Sequence, residues 1–315
     1  FDSLFMYSWL LTLLAGNAKL VRGSQQGGAH QDFLIEVLKE LSLLPEYSEV
    51  AQRFVLLTYP HDDGLTKQIS ENCFVRVIWG GDATVRSIRA IPLRPMATEL
   101  CFADRFSVAA LAASAVLAAD ELQLKKLVQG FYIDTYWFAQ QACSSPRMVV
   151  WVGDKKDIDE CNDKFWSAFS KEVELRADEN SPAMVMARLG ASFEYAALGL
   201  AGLSNMSQLG DSPSRLDLVT AGLDGIREIH CGNGLFVQMS FKELWELGAH
   251  LTDKEQTLAV YGFEQEDYLK LVTELPARAL DRIVPIGESL AFDIVWDGQD
   301  LITSFTRIVT WPQTH

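Results

Sequence analysis

One cysteine stands where a nucleophile could act. Cys143 lies in the sequence Gln-Gln-Ala-Cys-Ser-Ser-Pro-Arg at residues 140–147. An amphipathic segment precedes it, predicted as a helix over residues 120–141, and an apolar strand is predicted over residues 148–152. A thiol in a loop of small residues can have backbone N–H groups around it, which stabilise the reactive thiolate. The pattern fits an inert, packed cysteine as well, since cysteine is among the most buried residue types.

Glycine turns mark two places where an anionic cofactor could bind. Gly80 and Gly81 follow a predicted strand and precede a predicted helix, whose N-terminal N–H groups can bind phosphate. Asp82 fits the N-cap of that helix better than a ligand role. Arg22 and Ser24 end a short strand, where a cation could bind a ribose hydroxyl or a 2′-phosphate. On this evidence alone, a solvated charge at a strand end explains Arg22 better than a cofactor contact does.

Proton transfer has one candidate in an apolar setting. Burial could raise the pKa of Glu99 and let it carry a proton, although an exposed or ion-paired glutamate is the commoner outcome. The histidines lack metal-ligand spacing, so we predict no metal. A hydrolytic pair of Cys143 and His230 is compatible with the sequence, but nothing favours it.

Charge and composition exclude several function classes. The 315 residues carry a formal net charge of −15 without a basic stripe, which argues against nucleic acid as a partner. The apolar runs are shorter than the roughly 20 residues that span a bilayer. Five cysteines without a CxxC motif fit reduced thiols, and we expect a cytoplasmic protein. Because Phe1 leads almost directly into an apolar helix, we expect an upstream strand to precede it.

Strands and helices alternate along the chain. This alternation predicts an α/β fold with a parallel sheet covered on both faces, interrupted near Pro92 and Pro95. Within the second half, residues 227–230 and 235–239 are predicted as strands around a Gly-Asn-Gly turn.

In this order the segments resemble the aldehyde dehydrogenase superfamily. They resemble most closely its acyl-CoA reductase branch, the LuxC family that supplies fatty aldehyde in bacterial bioluminescence. The similar segments are a Gly-Asn turn with its strand, a strand-turn-helix facing the cofactor pyrophosphate, the general-base motif, the catalytic-cysteine loop and a C-terminal segment: residues 14–22, 77–85, 98–100, 141–147 and 296–301.

The resemblance implies an aldehyde-dehydrogenase-like α/β fold. Residues 1–97 would form a Rossmann-type cofactor-binding domain that lacks its N-terminal part, and residues 98–280 an α/β catalytic domain. Residues 281–315 would return to the cofactor domain or to an oligomer interface. An asparagine of the oxyanion hole would fall upstream of Phe1.

The implied activity is NADPH-dependent reduction of a long-chain fatty acyl-CoA to a fatty aldehyde. Cys143 would form the acyl thioester, and Glu99 aligns with the general base, although Cys101 and Phe102 replace the glycines that usually follow. Arg22 replaces a ribose-binding lysine, which suits the 2′-phosphate of NADP. The residues implied to bind the cofactor are Gly16, Asn17, Arg22, Ser24, Gly80 and Gly81.

Partners and alternatives follow from the same resemblance. An acyl-CoA or acyl-protein would be the substrate, acyl-transferase or synthetase proteins could associate, and we expect a homo-oligomer. The enzymatic alternative is an oxidative NAD(P)-dependent aldehyde dehydrogenase in which Glu99 activates water. The other alternative is a catalytically silent subunit of an acyl-transfer complex.

Overall fold

A computed structural model describes residues 4–24, 27–176, 181–202, 212–219, 223–276 and 278–312. The chain divides into two compact units. The first comprises residues 1–104 and 292–315, and the second comprises Arg105–Ala291.

The first unit contains short parallel strand pairs. Its helices are α1 (Leu4–Leu14), α2 (Ala29–Ser42), α3 (Ser48–Ala51), α4 (Asp63–Asn72), α5 (Asp82–Arg89) and α12 (Leu301–Ser304), with a 3₁₀ turn at Pro45–Tyr47. Its strands are β1 (Lys19–Arg22), β2 (Phe54–Leu57), β3 (Val75–Trp79), β4 (Thr98–Phe102), β12 (Val295–Trp296) and β13 (Gln299–Asp300). Strand β1 pairs in parallel with β2, and β3 with β4, whereas β12 and β13 are antiparallel.

The second unit is built on a seven-stranded sheet. Its strands are β5 (Phe106–Ala112), β6 (Pro146–Val152), β7 (Ala201–Gly202), β8 (Ser214–Leu218), β9 (Leu235–Phe241), β10 (Glu255–Tyr261) and β11 (Arg282–Pro285). Its helices are α6 (Ala113–Ala118), α7 (Glu121–Tyr136), α8 (Lys155–Arg176), α9 (Pro182–Ala197), α10 (Asp224–Ile229) and α11 (Gln265–Glu274), with a 3₁₀ helix at Leu244–His250.

The sheet order is β11-β10-β5-β6-β9-β8-β7. All neighbours are parallel except β7 and β8, which pair antiparallel at one edge. Strands β5 and β6 are apolar along nearly their whole length and buried on both faces, as central strands of a covered parallel sheet must be. The predicted α/β class with a parallel sheet is therefore confirmed.

Alternate residues of the central strands enter two cores. Val108 and Val150 pack into the core on one face of the sheet, and Ala109 and Trp151 into the aromatic core on the other. Phe131 lies fully buried in that aromatic core. Its ring packs edge-to-face against the rings of Phe165 and Phe169, so Phe131 is a packing residue.

Two predicted elements differ from the structure. Residues 227–230, predicted as a strand, belong mostly to helix α10. Leu223 and Ile226 lie three residues apart and are both buried, which is the spacing at which one face of a helix packs against the core. The predicted helix over residues 120–141 ends at Tyr136, because Ala139 and Gln140 have left-handed backbone angles that a helix cannot contain.

The unit boundaries follow hydrogen bonding. Strand β4, with Glu99, belongs to the first unit because it pairs with β3. The segment from Phe292 also belongs there, and Trp296 and Leu301 pack with Leu100 in one core. The functional assignment of the units stays a prediction.

Candidate functional site

Cys143 lies at the corner of a tight turn that precedes β6. The Ser145 N–H donates to the Ala142 carbonyl oxygen at 3.0 Å and closes the turn. The Cys143 carbonyl oxygen accepts a hydrogen bond from Ser107 Oγ at 2.7 Å, and that hydroxyl accepts from the Thr257 N–H at 3.2 Å. The nucleophile turn, defined as residues 142–145, is thus attached to the amino ends of β5 and β10, and Cys143 is partly exposed.

Gln140 supports this turn from behind. Its backbone lies in the left-handed region with φ +60°, as does that of Ala139 with φ +48°, which is unusual for residues other than glycine. Its side-chain Nε2 donates to the Pro146 carbonyl oxygen at 2.9 Å, and its Oε1 accepts from the Gly234 N–H at 2.9 Å. The buried amide therefore joins the nucleophile turn to the loop before β9.

His230 cannot serve as a base in the arrangement observed. Its Nε2 bonds to the Leu235 carbonyl oxygen at 2.9 Å, and its Nδ1 accepts from the Gly232 N–H at 2.9 Å. Burial, aided by the positive charge of Arg147, lowers the pKa of His230 to about 3. The ring is neutral with both nitrogens occupied, so the geometry gives the Cys143–His230 pair no support.

The other cysteines are poor nucleophiles at neutral pH. Burial raises the pKa of the thiols of Cys73, Cys101, Cys161 and Cys231, that of Cys161 to about 12. A thiol reaction observed at neutral pH would therefore not be expected from these four residues.

Glu99 is held between two arginines. Its Oε2 accepts from Arg76 Nε at 2.8 Å and also contacts Arg76 Nη2, and its Oε1 accepts from Arg89 Nε at 2.9 Å. A general base needs an oxygen that can receive a proton from substrate or water. Both oxygens are engaged by guanidinium groups, so the observed geometry suits a structural ion pair; the predicted catalytic role remains a prediction.

The Gly80–Gly81 turn ends β3 and begins α5, as predicted from the sequence. Asp82 and Asp104 each accept the other's backbone N–H, at 2.9 Å for the Asp82 N–H and 3.2 Å for the Asp104 N–H. A side chain at Gly81 would approach the Asp104 carboxylate at 3.1 Å. The helix N-terminus therefore already holds a carboxylate where a phosphate was predicted.

The other predicted cofactor residues lie at opposite ends of β1. Gly16 and Asn17 precede the strand, and Asn17 Nδ2 donates to the Phe305 carbonyl oxygen at 2.8 Å. Arg22 and Ser24 are exposed at its carboxyl end, about 10 Å away for a strand of this length. The structure brings Arg22 and Ser24 together and leaves Gly16 and Asn17 apart from them.

A tyrosine that the sequence did not single out positions Arg22. The Arg22 guanidinium lies 4.7 Å from the centroid of the Tyr59 ring and donates through Nη2 to the Tyr59 carbonyl oxygen at 3.4 Å. The Tyr59 and Thr66 hydroxyls are 3.2 Å apart, which fixes the ring against α4. A cation is thereby presented at the carboxyl ends of β1 and β2.

Lys19 was also missed. Its Nζ is buried without a hydrogen-bond partner among the described residues, and burial lowers its pKa to about 7. Its position at the start of a strand carries no sequence signal that separates it from a solvated lysine.

Among the described residues, no group of histidine, cysteine or acidic side chains could hold a metal ion. No helix in the described part of the chain is long and apolar enough to cross a membrane.

Solved structures of aldehyde dehydrogenases share this fold. Lactaldehyde dehydrogenase from Escherichia coli matches with a TM-score of 0.62 at 14% identity, over 93% of this chain and 60% of that chain. A putative methylmalonate-semialdehyde dehydrogenase from Sinorhizobium meliloti, complexed with NAD, matches with a TM-score of 0.63 at 16% identity, over 98% of this chain and 67% of that one. The putative aldehyde dehydrogenase PutA from Anabaena variabilis gives 0.63 at 13%, over 91% and 61%.

At such low identities, these structural matches establish the fold alone, which is aldehyde-dehydrogenase-like. The chain spans only about 60% of the length of the Escherichia coli enzyme. Comparison with curated protein sequences gave no significant match.

Comparison with protein families identifies the family as well as the fold. The acyl-CoA reductase (LuxC) family matches residues 2–187, more than half of the chain and a stretch that includes both the Gly80–Gly81 turn and the nucleophile turn. By this match the chain belongs to the acyl-CoA reductase (LuxC) family.

Proposed function

We propose that this chain catalyses the NADPH-dependent reduction of a long-chain fatty acyl-CoA to a fatty aldehyde, through a thioester on Cys143. The observation that carries the proposal is the partly exposed Cys143 at the corner of a braced turn, within the segment matched by the acyl-CoA reductase family. An oxidoreductase acting on aldehyde groups is the broader class to which both the family and the fold point.

The chemistry assigned to Cys143 is acyl transfer. Its thiolate attacks the thioester carbonyl, the tetrahedral oxyanion collapses, and the CoA thiolate leaves and takes up a proton. One thioester replaces another, so the acyl group is held on the enzyme at little cost in free energy. We assign the backbone N–H of Cys143 as a donor to the oxyanion, and losing such a donor typically costs about 100- to 1,000-fold in rate.

The chain's residues fit a pyridine nucleotide unevenly. NADPH, when bound, supplies the hydride that reduces the acyl thioester, after which Cys143 is released as the thiolate. Arg22, stacked on Tyr59, suits a 2′-phosphate, and Ser24 suits a ribose hydroxyl. At the Gly80–Gly81 turn a bound anion would compete with the Asp104 carboxylate, so we assign that turn a close backbone approach rather than the main charge contact.

Acyl-enzyme formation tests the proposal. The full chain, incubated with radiolabelled long-chain acyl-CoA without nucleotide, should carry label that neutral hydroxylamine releases. Cys143→Ala should remove the label, and Cys73→Ala, which changes a half-buried thiol in the first unit, should keep it. Persistent label in Cys143→Ala would end the assignment.

The alternatives give different results. An oxidative aldehyde dehydrogenase would reduce NAD with aldehyde and show little acyl-CoA-dependent oxidation of NADPH. A silent subunit would show neither reaction, and its Cys143 would react with iodoacetamide no faster than an ordinary thiol. Homo-oligomer formation and association with acyl-transferase or synthetase proteins remain proposals, which sedimentation of the purified chain and of mixtures would test.

A further inference from the structure

We propose that Gln140 is a positioning residue for Cys143, which rests on the nucleophilic role proposed for that cysteine. Its amide side chain holds the nucleophile turn in the one conformation that presents the sulfur. Two consecutive residues, Ala139 and Gln140, carry left-handed backbone angles of φ +48° and φ +60°. Such strain persists only where the surrounding contacts over-determine the conformation, and it concentrates at functional sites.

The contacts of Gln140 supply that over-determination. Its backbone N–H donates to the Thr135 carbonyl oxygen at 2.7 Å, and its own carbonyl oxygen accepts from Arg147 Nε at 3.3 Å. Its side chain bonds the Pro146 carbonyl oxygen and the Gly234 N–H, both at 2.9 Å. The backbone N–H of Gln140 thus bonds to helix α7, while its carbonyl oxygen and its side chain tie the approach to Cys143 to strand β6 and to the loop before β9.

Two further hydrogen bonds join the residues before the nucleophile turn to the loop before β9. Gln141 Nε2 donates to the Cys231 carbonyl oxygen at 2.8 Å, and the Asn233 N–H donates to the Ala139 carbonyl oxygen at 2.8 Å. These bonds join residues about 90 positions apart in the chain. Hydrogen bonds therefore join the nucleophile turn to the loop before β9. The buried Gln140 side chain bonds to the Pro146 carbonyl on one side and to the Gly234 N–H on the other.

Ser107 supports the opposite side of the turn. Its hydroxyl holds the Cys143 carbonyl oxygen at 2.7 Å. With the Gln140 amide removed, the Pro146 carbonyl and the Gly234 N–H lose a buried partner, while the Ser107 hydroxyl still holds the Cys143 carbonyl oxygen. A displacement of about 1 Å can cost about 100-fold in rate at a reacting group.

A buried glutamine elsewhere in the same unit provides a matched control. Gln238 is buried in β9, and its Oε1 accepts from three donors at 3.1 to 3.2 Å: Trp151 Nε1, Asn162 Nδ2 and Trp166 Nε1. Gln238→Leu and Gln140→Leu each remove a buried amide with several hydrogen bonds, so both should lower the melting temperature. Only Gln140→Leu should change the reactivity of Cys143.

The experiment measures alkylation of Cys143 by iodoacetamide across neutral and alkaline pH, with peptide mass spectrometry to read each cysteine separately. Gln140→Leu should slow alkylation of Cys143 at neutral pH by about tenfold and shift the midpoint of its pH–rate profile, whereas Gln238→Leu should keep the wild-type profile. Gln140→Glu keeps the acceptor for the Gly234 N–H and loses the donor to the Pro146 carbonyl. Cys143 in this variant should therefore be alkylated at a rate between those of wild type and Gln140→Leu.

Each outcome decides a separate question. A wild-type Cys143 that reacts no faster than Cys73 would refute the proposed nucleophile. A reactive wild type with an unchanged profile in Gln140→Leu and Gln140→Glu would overturn the positioning role. If Gln140→Leu does not fold, Gln140→Glu carries the test: a wild-type profile overturns the proposal, and slowed alkylation of Cys143 supports it.

Discussion

At the scale of single residues, the candidate site depends on which polar groups are already engaged. His230 and Glu99 each have their hydrogen-bonding atoms occupied, His230 by backbone groups and Glu99 by arginines. Cys143 is partly exposed, on a turn whose carbonyl the Ser107 hydroxyl holds. Of the candidates drawn from the sequence, it therefore has the surroundings best suited to a nucleophile.

Glu99→Gln should separate structure from catalysis. A neutral amide cannot satisfy the guanidinium groups of Arg76 and Arg89, and Arg76 is mostly buried, so we expect a loss of about 2–4 kcal/mol in the free energy of unfolding. Acylation of Cys143 by acyl-CoA should change little under conditions where the variant is folded. Urea unfolding and single-turnover acylation measure the two effects. Full stability combined with a loss of aldehyde oxidation would instead identify Glu99 as the general base.

Lys19→Met should stabilise the protein in a pH-dependent way. The folded-state pKa of about 7 lies below the ordinary value of 10.5, so between these values the unfolded chain binds more protons than the folded chain. Stability due to Lys19 therefore rises with pH over that window, and its cost is greatest near and below neutrality. We expect Lys19→Met to gain on the order of 1–3 kcal/mol at neutral pH and far less at pH values near the upper end. Urea titrations across the window check this, and a gain independent of pH would contradict it.

At the scale of elements, side chains bond to the free backbone groups at helix ends, some from within the helix and some from a distant element. Helix α7 has its own cap, since Asp120 and Gln123 form a reciprocal capping box. Helix α6 depends on a distant residue instead. Lys164 Nζ on α8 donates to the carbonyl oxygens of Val116, Leu117 and Ala119 at 3.0, 2.9 and 2.8 Å. A cation bonded to the carbonyls that end a helix also matches the negative end of the helix dipole.

Lys164→Met should lower the free energy of unfolding by about 1–3 kcal/mol, because three carbonyls lose a charged donor. Lys155→Met is the matched control: the same residue type on the same helix, but exposed, with its Nζ paired with Asp159 at the surface. It should stay within about 0.5 kcal/mol of wild type. Equal effects of the two substitutions in chemical denaturation would show that the capping contact contributes nothing.

At the scale of the whole molecule, the net charge affects how fast anionic ligands associate. The net charge of −15 repels anions at long range, including the proposed substrate acyl-CoA and the proposed cofactor NADPH. Moderate salt screens this repulsion over about 10 Å at 0.1 M. A locally basic site would show the opposite trend, because salt weakens direct ion pairs.

We therefore expect the association rate of acyl-CoA with the protein to rise as ionic strength increases from very low values to about 0.1 M. Arg22→Ser should make the effect of salt on NADPH association larger, since it removes a local positive charge near the assigned 2′-phosphate position. Stopped-flow measurements of tryptophan fluorescence provide the rates. A steady fall with salt for both ligands would show that local cations govern encounter.

Local patterns were sufficient for elements whose burial follows a simple period. The short strand predicted before Gly23 is β1, which ends at Arg22, and the strand predicted before Gly80 is β3, which ends at Trp79. The α/β class, the position of Cys143 between a helix and a strand, and the Gly80–Gly81 turn between a strand and a helix were all read from sequence. Each depends on neighbours within a few residues, where periodicity and turn chemistry act directly.

Tertiary structure alone decided which polar groups meet. The Glu99–Arg76 pair requires the register of β3 and β4, and the bond from Gln140 to Gly234 spans almost a third of the chain. Residues 227–229 were predicted as a strand but lie in α10, where the buried Arg227 side chain bonds to Glu255, a long-range contact that a local pattern does not reveal. Sequence by itself thus determined the fold class and the sulfur on which the proposed chemistry rests. Long-range packing determined the rest, because desolvation and hydrogen-bond partners are set by residues that are distant in the chain and adjacent only once it has folded.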